Sequence, residues 1–160
     1  MKEVNTGSIA FIYEDINELS DEDKSLMKVA VEATKTAYAP YSGFNVGAAL
    51  LMEDGSIIIG NNQENAAYPS GMCAERVAIW KAGSSFPNKK VKKIAITAVS
   101  SNKQLDKPVG PCGACRQTLL EYEINQKEDI EVLFMGEIGN VVQTSSIASL
   151  LPFSFDSSYL

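Results

Sequence analysis

Three cysteines are the residues of this chain best placed to do chemistry: Cys73, Cys112 and Cys115. Cys112 and Cys115 are three apart, so on a helix their sulfurs share one face and can reach a single ion. Cys73 and Cys112 each stand where a helix is predicted to begin. Two helix N-termini aimed at one place would surround the sulfurs with free backbone N–H groups, and the positive end of each dipole favours the thiolate, the form that binds metal and reacts. Taken alone, Cys-x-x-Cys is ambiguous. It suits a pair of ordinary reduced thiols, a redox dithiol at a helix start, or half of a closed structural zinc site. A redox pair leaves Cys73 without a role, and a closed site needs four ligands. Three sulfurs plus one water make an open zinc site of the catalytic kind, in which the metal lowers the pKa of its water to about 7.

The chain has 160 residues and no histidine. Triads built on imidazole are thereby excluded, as is any zinc site with a nitrogen ligand. A proton carrier must then be a carboxylate or a lysine. Glu75 lies two residues after Cys73 at the same helix start. By itself it is an ordinary first-turn glutamate favoured by the dipole. Beside three thiolates it becomes the candidate for proton transfer.

The elements that must position these residues can be read from periodicity and punctuation. Ser20 caps a helix over 21–38 whose apolar positions Leu26, Val29, Ala30, Ala33 and Ala37 recur at helical spacing, with Pro40 as its stop. Two apolar runs, 46–52 and 56–60, are joined through Asp54-Gly55, a strong hairpin signal. A helix follows over 73–82, with Gly83 suited to its end. A β-branched strand over 94–99 leads through Pro108, Gly110 and Pro111 into a helix over 112–122. Strands over 130–135 and 141–143 and a helical turn over 146–151 complete the order. Strands alternating with helices after a leading hairpin predict an α/β fold with a mixed sheet: an antiparallel hairpin, then parallel βα units. No repeat, low-complexity tract or linker divides the chain, so residues 1–160 are expected to form one domain. Residues 1–20 and 100–109 carry no legible chemistry.

Apolar residues at 45% and charged residues at 21% are globular values. The net charge of −6 gives no reason to bind a polyphosphate backbone, so a nucleic-acid polymer is not an expected partner. No stretch approaches the ~18 apolar residues of a membrane span, and no apolar run follows a basic start. The expectation is a cytoplasmic protein without membrane contact, its cysteines reduced.

At this point the residues resemble a known family. Cys73-Ala74-Glu75 followed by Pro111-Cys112-Gly113-Ala114-Cys115 is similar to the small zinc-dependent cytidine deaminases that act on free nucleosides. Three further segments fit that family in its order: Ala39-Pro-Tyr-Ser-Gly-Phe-Asn-Val-Gly-Ala-Ala49, Asn62-Gln-Glu-Asn-Ala-Ala-Tyr-Pro69 and Leu150-Leu-Pro-Phe-Ser-Phe155. Together they run from about residue 39 to residue 155. The resemblance implies a three-layer α/β/α sandwich, a homotetramer, and one zinc per chain on Cys73, Cys112 and Cys115. It further implies that Asn62 and Glu64 hold the ribose hydroxyls, that Phe44 packs on the nucleoside, and that Glu75 and the backbone of Ala74 read the pyrimidine edge. By the same carry-over Tyr68 and Phe155 reach into a neighbouring subunit's site. Read without the family, Phe44 is a core aromatic, Phe155 a buried tail anchor, and Asn62 and Glu64 end a strand.

The implied reaction is hydrolysis of cytidine and deoxycytidine to uridine and deoxyuridine plus ammonia, a step of pyrimidine salvage. Zinc-activated water would attack C4 while Glu75 shuttles the protons. Three thiolates outweigh the dication in charge and weaken it as a Lewis acid. Arg76, otherwise a solvated helix charge, is therefore predicted to hydrogen-bond to Cys73 or Cys112 and withdraw charge from sulfur. The rival readings are a related deaminase of a nucleoside antibiotic, nucleotide or tRNA, and a non-catalytic zinc or redox module.

Overall fold

The structure, a computed structural model, describes residues 1–3, 5 and 7–160. Among these residues six strands form one sheet: β1 Ala10–Tyr13, β2 Phe44–Met52, β3 Ile57–Asn61, β4 Val91–Ser100, β5 Glu131–Met135 and β6 Val141–Thr144. Their order is β1-β6-β5-β4-β2-β3. Three helices pack on it, α1 Asp21–Thr34, α2 Ala74–Ser85 and α3 Gly113–Gln126.

The alternation of side chains along the strands divides the core in two. Ala49 and Leu51 of β2, with Ala95, Leu133 and Met135, face Leu26, Met27 and Ala30 of α1. Ala48, Leu50 and Met52 of the same strand, with Ile94, Ile96 and Val132, face Ala78 and Ile79 of α2 and Leu119 and Leu120 of α3. One helix therefore covers one face and two cover the other, the α/β/α arrangement that the resemblance implies.

The hairpin stands as predicted, with Leu51 opposite Ile57 and Gly55 at a positive φ of 82° in the turn. The parallel βα units need a correction in detail. Among the described residues β4 and β5 are the single parallel neighbours, joined through α3. β3 and β4 also run in one direction, as the crossover through α2 requires, but β2 lies between them and pairs antiparallel with both. β1 was not foreseen: it adds antiparallel to β6 at the sheet's edge.

Helix ends depart from expectation for identifiable reasons. Ser20 caps α1 as predicted, its Oγ accepting from Asp23 N–H at 3.2 Å. The helix stops at Thr34 rather than 38, because the backbone at Tyr38 is drawn into strand-like bonds. Its N–H donates to Asn62 O at 3.0 Å and its carbonyl accepts from Glu64 N–H at 2.8 Å. α2 runs through Gly83 to Ser85. Gly83 serves packing instead of ending the helix: a Cβ there would lie 2.6 Å from the Tyr122 hydroxyl of α3. Gly60 on β3 does the same for the start of α2, where a Cβ would lie 2.4 Å from Ala74 O. The bare backbone lets the first turn of α2 sit directly on the sheet.

On the α1 face, Lys93 of β4 is buried against Asp23, with Glu131 at 3.4 Å and Glu22 at 3.9 Å. Burial alone would lower its pKa, but the hydrogen bond to Asp23 and the surrounding carboxylates outweigh it and the value is raised. Among the described residues no helix is long and apolar enough to cross a membrane.

Candidate active site

Cys73 and Cys112 are the N-cap residues of α2 and α3, both with extended backbone, so their side chains project from the helix starts into the same space. Cys115 follows in the first turn of α3 and is buried, while Cys112 is exposed and Cys73 partly so. The three sulfurs lie within 4.8 Å of one another, with Cys112 and Cys115 at 3.5 Å. A tetrahedral zinc with bonds near 2.3 Å needs sulfurs about 3.8 Å apart. The donor set fits such an ion, and its exposed side leaves room for a fourth ligand. With the sulfurs sharing a proton, Cys73 has its pKa lowered to about 5 by a hydrogen bond from Cys115 and then by Arg76, while the Cys115 thiol is pushed up and must give up its proton for the ion to bind all three.

Glu75 is 4% exposed in the first turn of α2 and faces the same space. Burial pushes its carboxyl above the usual carboxylate range and the Cys73 thiolate adds to this, against opposing pulls from hydrogen bonds and Arg76. A carboxyl raised in this way holds a proton more readily than an exposed glutamate does. Arg76 Nη2 donates to Cys73 Sγ at 3.4 Å, one of the two partners predicted from the sequence, and its guanidinium lies 5.9 Å from the centre of the Trp80 ring. Its Nε is buried without a partner among the described residues.

Cys73, Cys112 and Glu75 line a cavity of about 720 Å³, bounded also by Tyr41, Phe44, Asn62, Glu64 and Tyr68, with Cys115 buried behind the other two sulfurs. Phe44 opens onto this cavity instead of disappearing into the core. Asn62 and Glu64 reach it too, and both already hold the segment that carries Phe44. Asn62 Oδ1 accepts from Val46 N–H at 2.8 Å and its Nδ2 donates to Phe44 O at 2.8 Å. Glu64 accepts from the N–H groups of Tyr41 (2.9 Å) and Ser42 (3.3 Å) and from the Ser42 hydroxyl. These bonds, the Ser42 hydroxyl foremost, keep its carboxyl below the usual range. Tyr68 lines the cavity of its own chain and is 80% exposed. Ala74 is buried under Gly60 and its side chain does not line the cavity. Phe155 does not line it either. It is 58% exposed and stacked on Tyr159, so it is no buried anchor.

Several residues at the site gave no signal in the sequence. Val109 and Gly110, at the end of the loop before α3, line the cavity. Asn102 Nδ2 donates to Ser42 O at 3.1 Å and Ser101 N–H to Gly43 O at 2.9 Å, fastening that loop to the Ser42-Gly43 turn. Gly43, at φ 63°, was the available clue that the turn is tight.

The family model "Cytidine and deoxycytidylate deaminase zinc-binding region" matches residues 20–127. The chain is 43% identical over 130 residues to a cytidine deaminase of Halalkalibacterium halodurans, covering 81% of this chain and 91% of that one. With a cytidine deaminase of Sporosarcina psychrophila it shares 39% identity over 132 residues, 82% of this chain and 90% of the other. The crystal structure of cytidine deaminase from Burkholderia pseudomallei superposes with a TM-score of 0.72 at 37% identity, covering 86% of this chain and 100% of that one. With the mixed sheet, the paired helix N-termini and the three-sulfur cluster, these likenesses place the chain: it belongs to the zinc-dependent cytidine and deoxycytidylate deaminase family.

Proposed function

We propose that the chain catalyses hydrolysis of cytidine, and of deoxycytidine, to uridine or deoxyuridine plus ammonia, as a step of pyrimidine salvage. The observation that carries this reading is the clustering of the Cys73, Cys112 and Cys115 sulfurs at the wall of a cavity that Cys73, Cys112 and a buried Glu75 line. The names of the similar proteins support the choice of substrate.

The three cysteines would hold the zinc, which supplies Lewis-acid activation of water for addition at C4 of the pyrimidine. Glu75, buried beside the sulfurs, takes the proton from the incoming water, gives it to N3, then takes the remaining proton from the oxygen on C4 and passes it to the departing amine. Protons balance, since the two hydrogens of water end on N3 and on ammonia, and the oxygen stays on C4. The backbone of Ala74 is assigned to the same pyrimidine edge. Arg76 draws charge from Cys73 and so limits how far the thiolates damp the metal. Asn62 and Glu64 would accept the ribose through the hydrogen-bonding capacity their backbone contacts leave free, and Phe44 would pack on the nucleoside.

We assign the chain to a single domain of residues 1–160 working in the cytoplasm as a homotetramer. The exposure of Phe155 supports a tail that completes a neighbouring subunit's site; Tyr68, on the cavity wall of its own chain, is assigned to the same subunit boundary. Purified protein incubated with cytidine should hold about one zinc per chain and release ammonia as uridine forms. Zinc-free protein, or zinc-loaded protein that leaves cytidine untouched, contradicts the reading.

A further inference from the structure

α3 carries two of the three sulfurs, and it also holds the returning C-terminal segment. Glu123 accepts from Ile147 N–H at 2.7 Å and Ala148 N–H at 2.9 Å, and Gln117 Nε2 donates to Phe155 O at 2.8 Å. Arg116 has two destinations. Its Nε donates to Pro111 O at 2.8 Å and its Nη1 to Leu150 O at 3.0 Å. The Pro111 carbonyl belongs to the peptide whose nitrogen is that of Cys112. Cys112 makes no side-chain capping bond to its helix. The plane of that peptide sets the direction in which the Cys112 side chain leaves the backbone, and Arg116 holds its carbonyl.

We propose that Arg116 is a positioning residue for the metal site. Its planar fork fixes the Pro111–Cys112 peptide against the Leu150 carbonyl, so the grip of Cys112 on the ion and the seating of the C-terminal segment are linked. The proposal rests on the assignment of the three sulfurs to zinc. A lysine retains the charge but places one ammonium where the fork makes two divergent bonds, so Arg→Lys does not restore the function.

The test is zinc release from loaded protein to an excess of chelator. Arg116→Lys and Arg116→Ala are each expected to release zinc about tenfold faster or more than the native chain, the range for residues that orient metal ligands. A chain ending at Ala148 keeps both N–H groups on Glu123 but lacks the Leu150 carbonyl. It should also release zinc faster, and Arg116→Ala should add less in that background than in the full chain. In cobalt-loaded protein the thiolate-to-metal absorption should shift in Arg116→Lys, a readout that a general loosening of the fold does not move. Native release rates, an unshifted band, or effects of truncation and Arg116→Ala that simply multiply would each overturn the proposal while leaving the zinc assignment intact. Native protein that holds no zinc would overturn both.

Discussion

Glu123→Gln isolates one buried carboxylate whose loads can be counted. Glu123 is 5% exposed, and its two oxygens accept three backbone N–H groups: Ile130 at 2.9 Å and Ile147 at 2.7 Å on Oε2, Ala148 at 2.9 Å on Oε1. It thus ties α3 to the start of β5 and to the turn that begins the C-terminal segment. A glutamine keeps one acceptor oxygen. At best it retains Ile130 and Ile147, leaving its amide N–H₂ facing the Ala148 N–H, donor against donor. The orphaned buried donor costs about 1–3 kcal/mol, and turning two charge-assisted bonds into neutral ones costs about 1 kcal/mol each. Relief of the buried charge offsets some of this, so the net loss should be about 2–4 kcal/mol. In a chain of this size that lowers Tm by roughly 5–15 °C. Urea unfolding of native and variant protein measures it, with amide exchange at residues 130, 147 and 148 as the local readout. Glu121→Gln on the same helix, an exposed residue bonded among the described residues to Asn125 alone, is the control and should stay within about 0.5 kcal/mol. A Glu123→Gln variant as stable as that control refutes the reasoning.

Three further outcomes are expected. Arg76→Gln should depress turnover by a larger factor than it depresses zinc content, because the lost bond drains charge from a ligand without supplying one; metal analysis beside steady-state kinetics checks this, and native turnover refutes it. Lys93→Met strands the buried Asp23 with the Ser20 hydroxyl as its remaining partner and should cost about 2–4 kcal/mol in urea unfolding. Since the folded Lys93 pKa is raised, its contribution is complete below about pH 10.4 and fades as pH rises through the folded value, so the gap between native and variant should narrow at that alkaline end. Gly60→Ala pushes a methyl group to 2.4 Å from Ala74 O and 2.5 Å from Ala78 N, backbone atoms that cannot swing aside; it should cost about 1–3 kcal/mol and weaken zinc binding by lifting the first turn of α2.

Much of the site was legible because its chemistry is local in sequence. The Cys112–Cys115 spacing, the helix starts and the absence of histidine suffice to suggest an open thiolate site, and Glu75 follows from its place two residues after Cys73. What was illegible depends on partners far along the chain. Glu123 reads as one more helix glutamate until residues 130, 147 and 148 are brought to it. Gly83 reads as a helix end until Tyr122 is found above it. Tyr38 leaves α1 because residues 62 and 64 compete for its backbone, a contest no helical periodicity records. β1, whose side chains are largely exposed, has too weak an apolar alternation to announce itself.

The central claim is that Glu75 moves the protons while the cysteines hold the metal, and zinc-loaded Glu75→Ala tests it most directly. Its zinc content should equal that of the native chain, with cytidine turnover reduced by about 10²-fold or more. A variant that binds zinc normally and still converts cytidine at the native rate would contradict it.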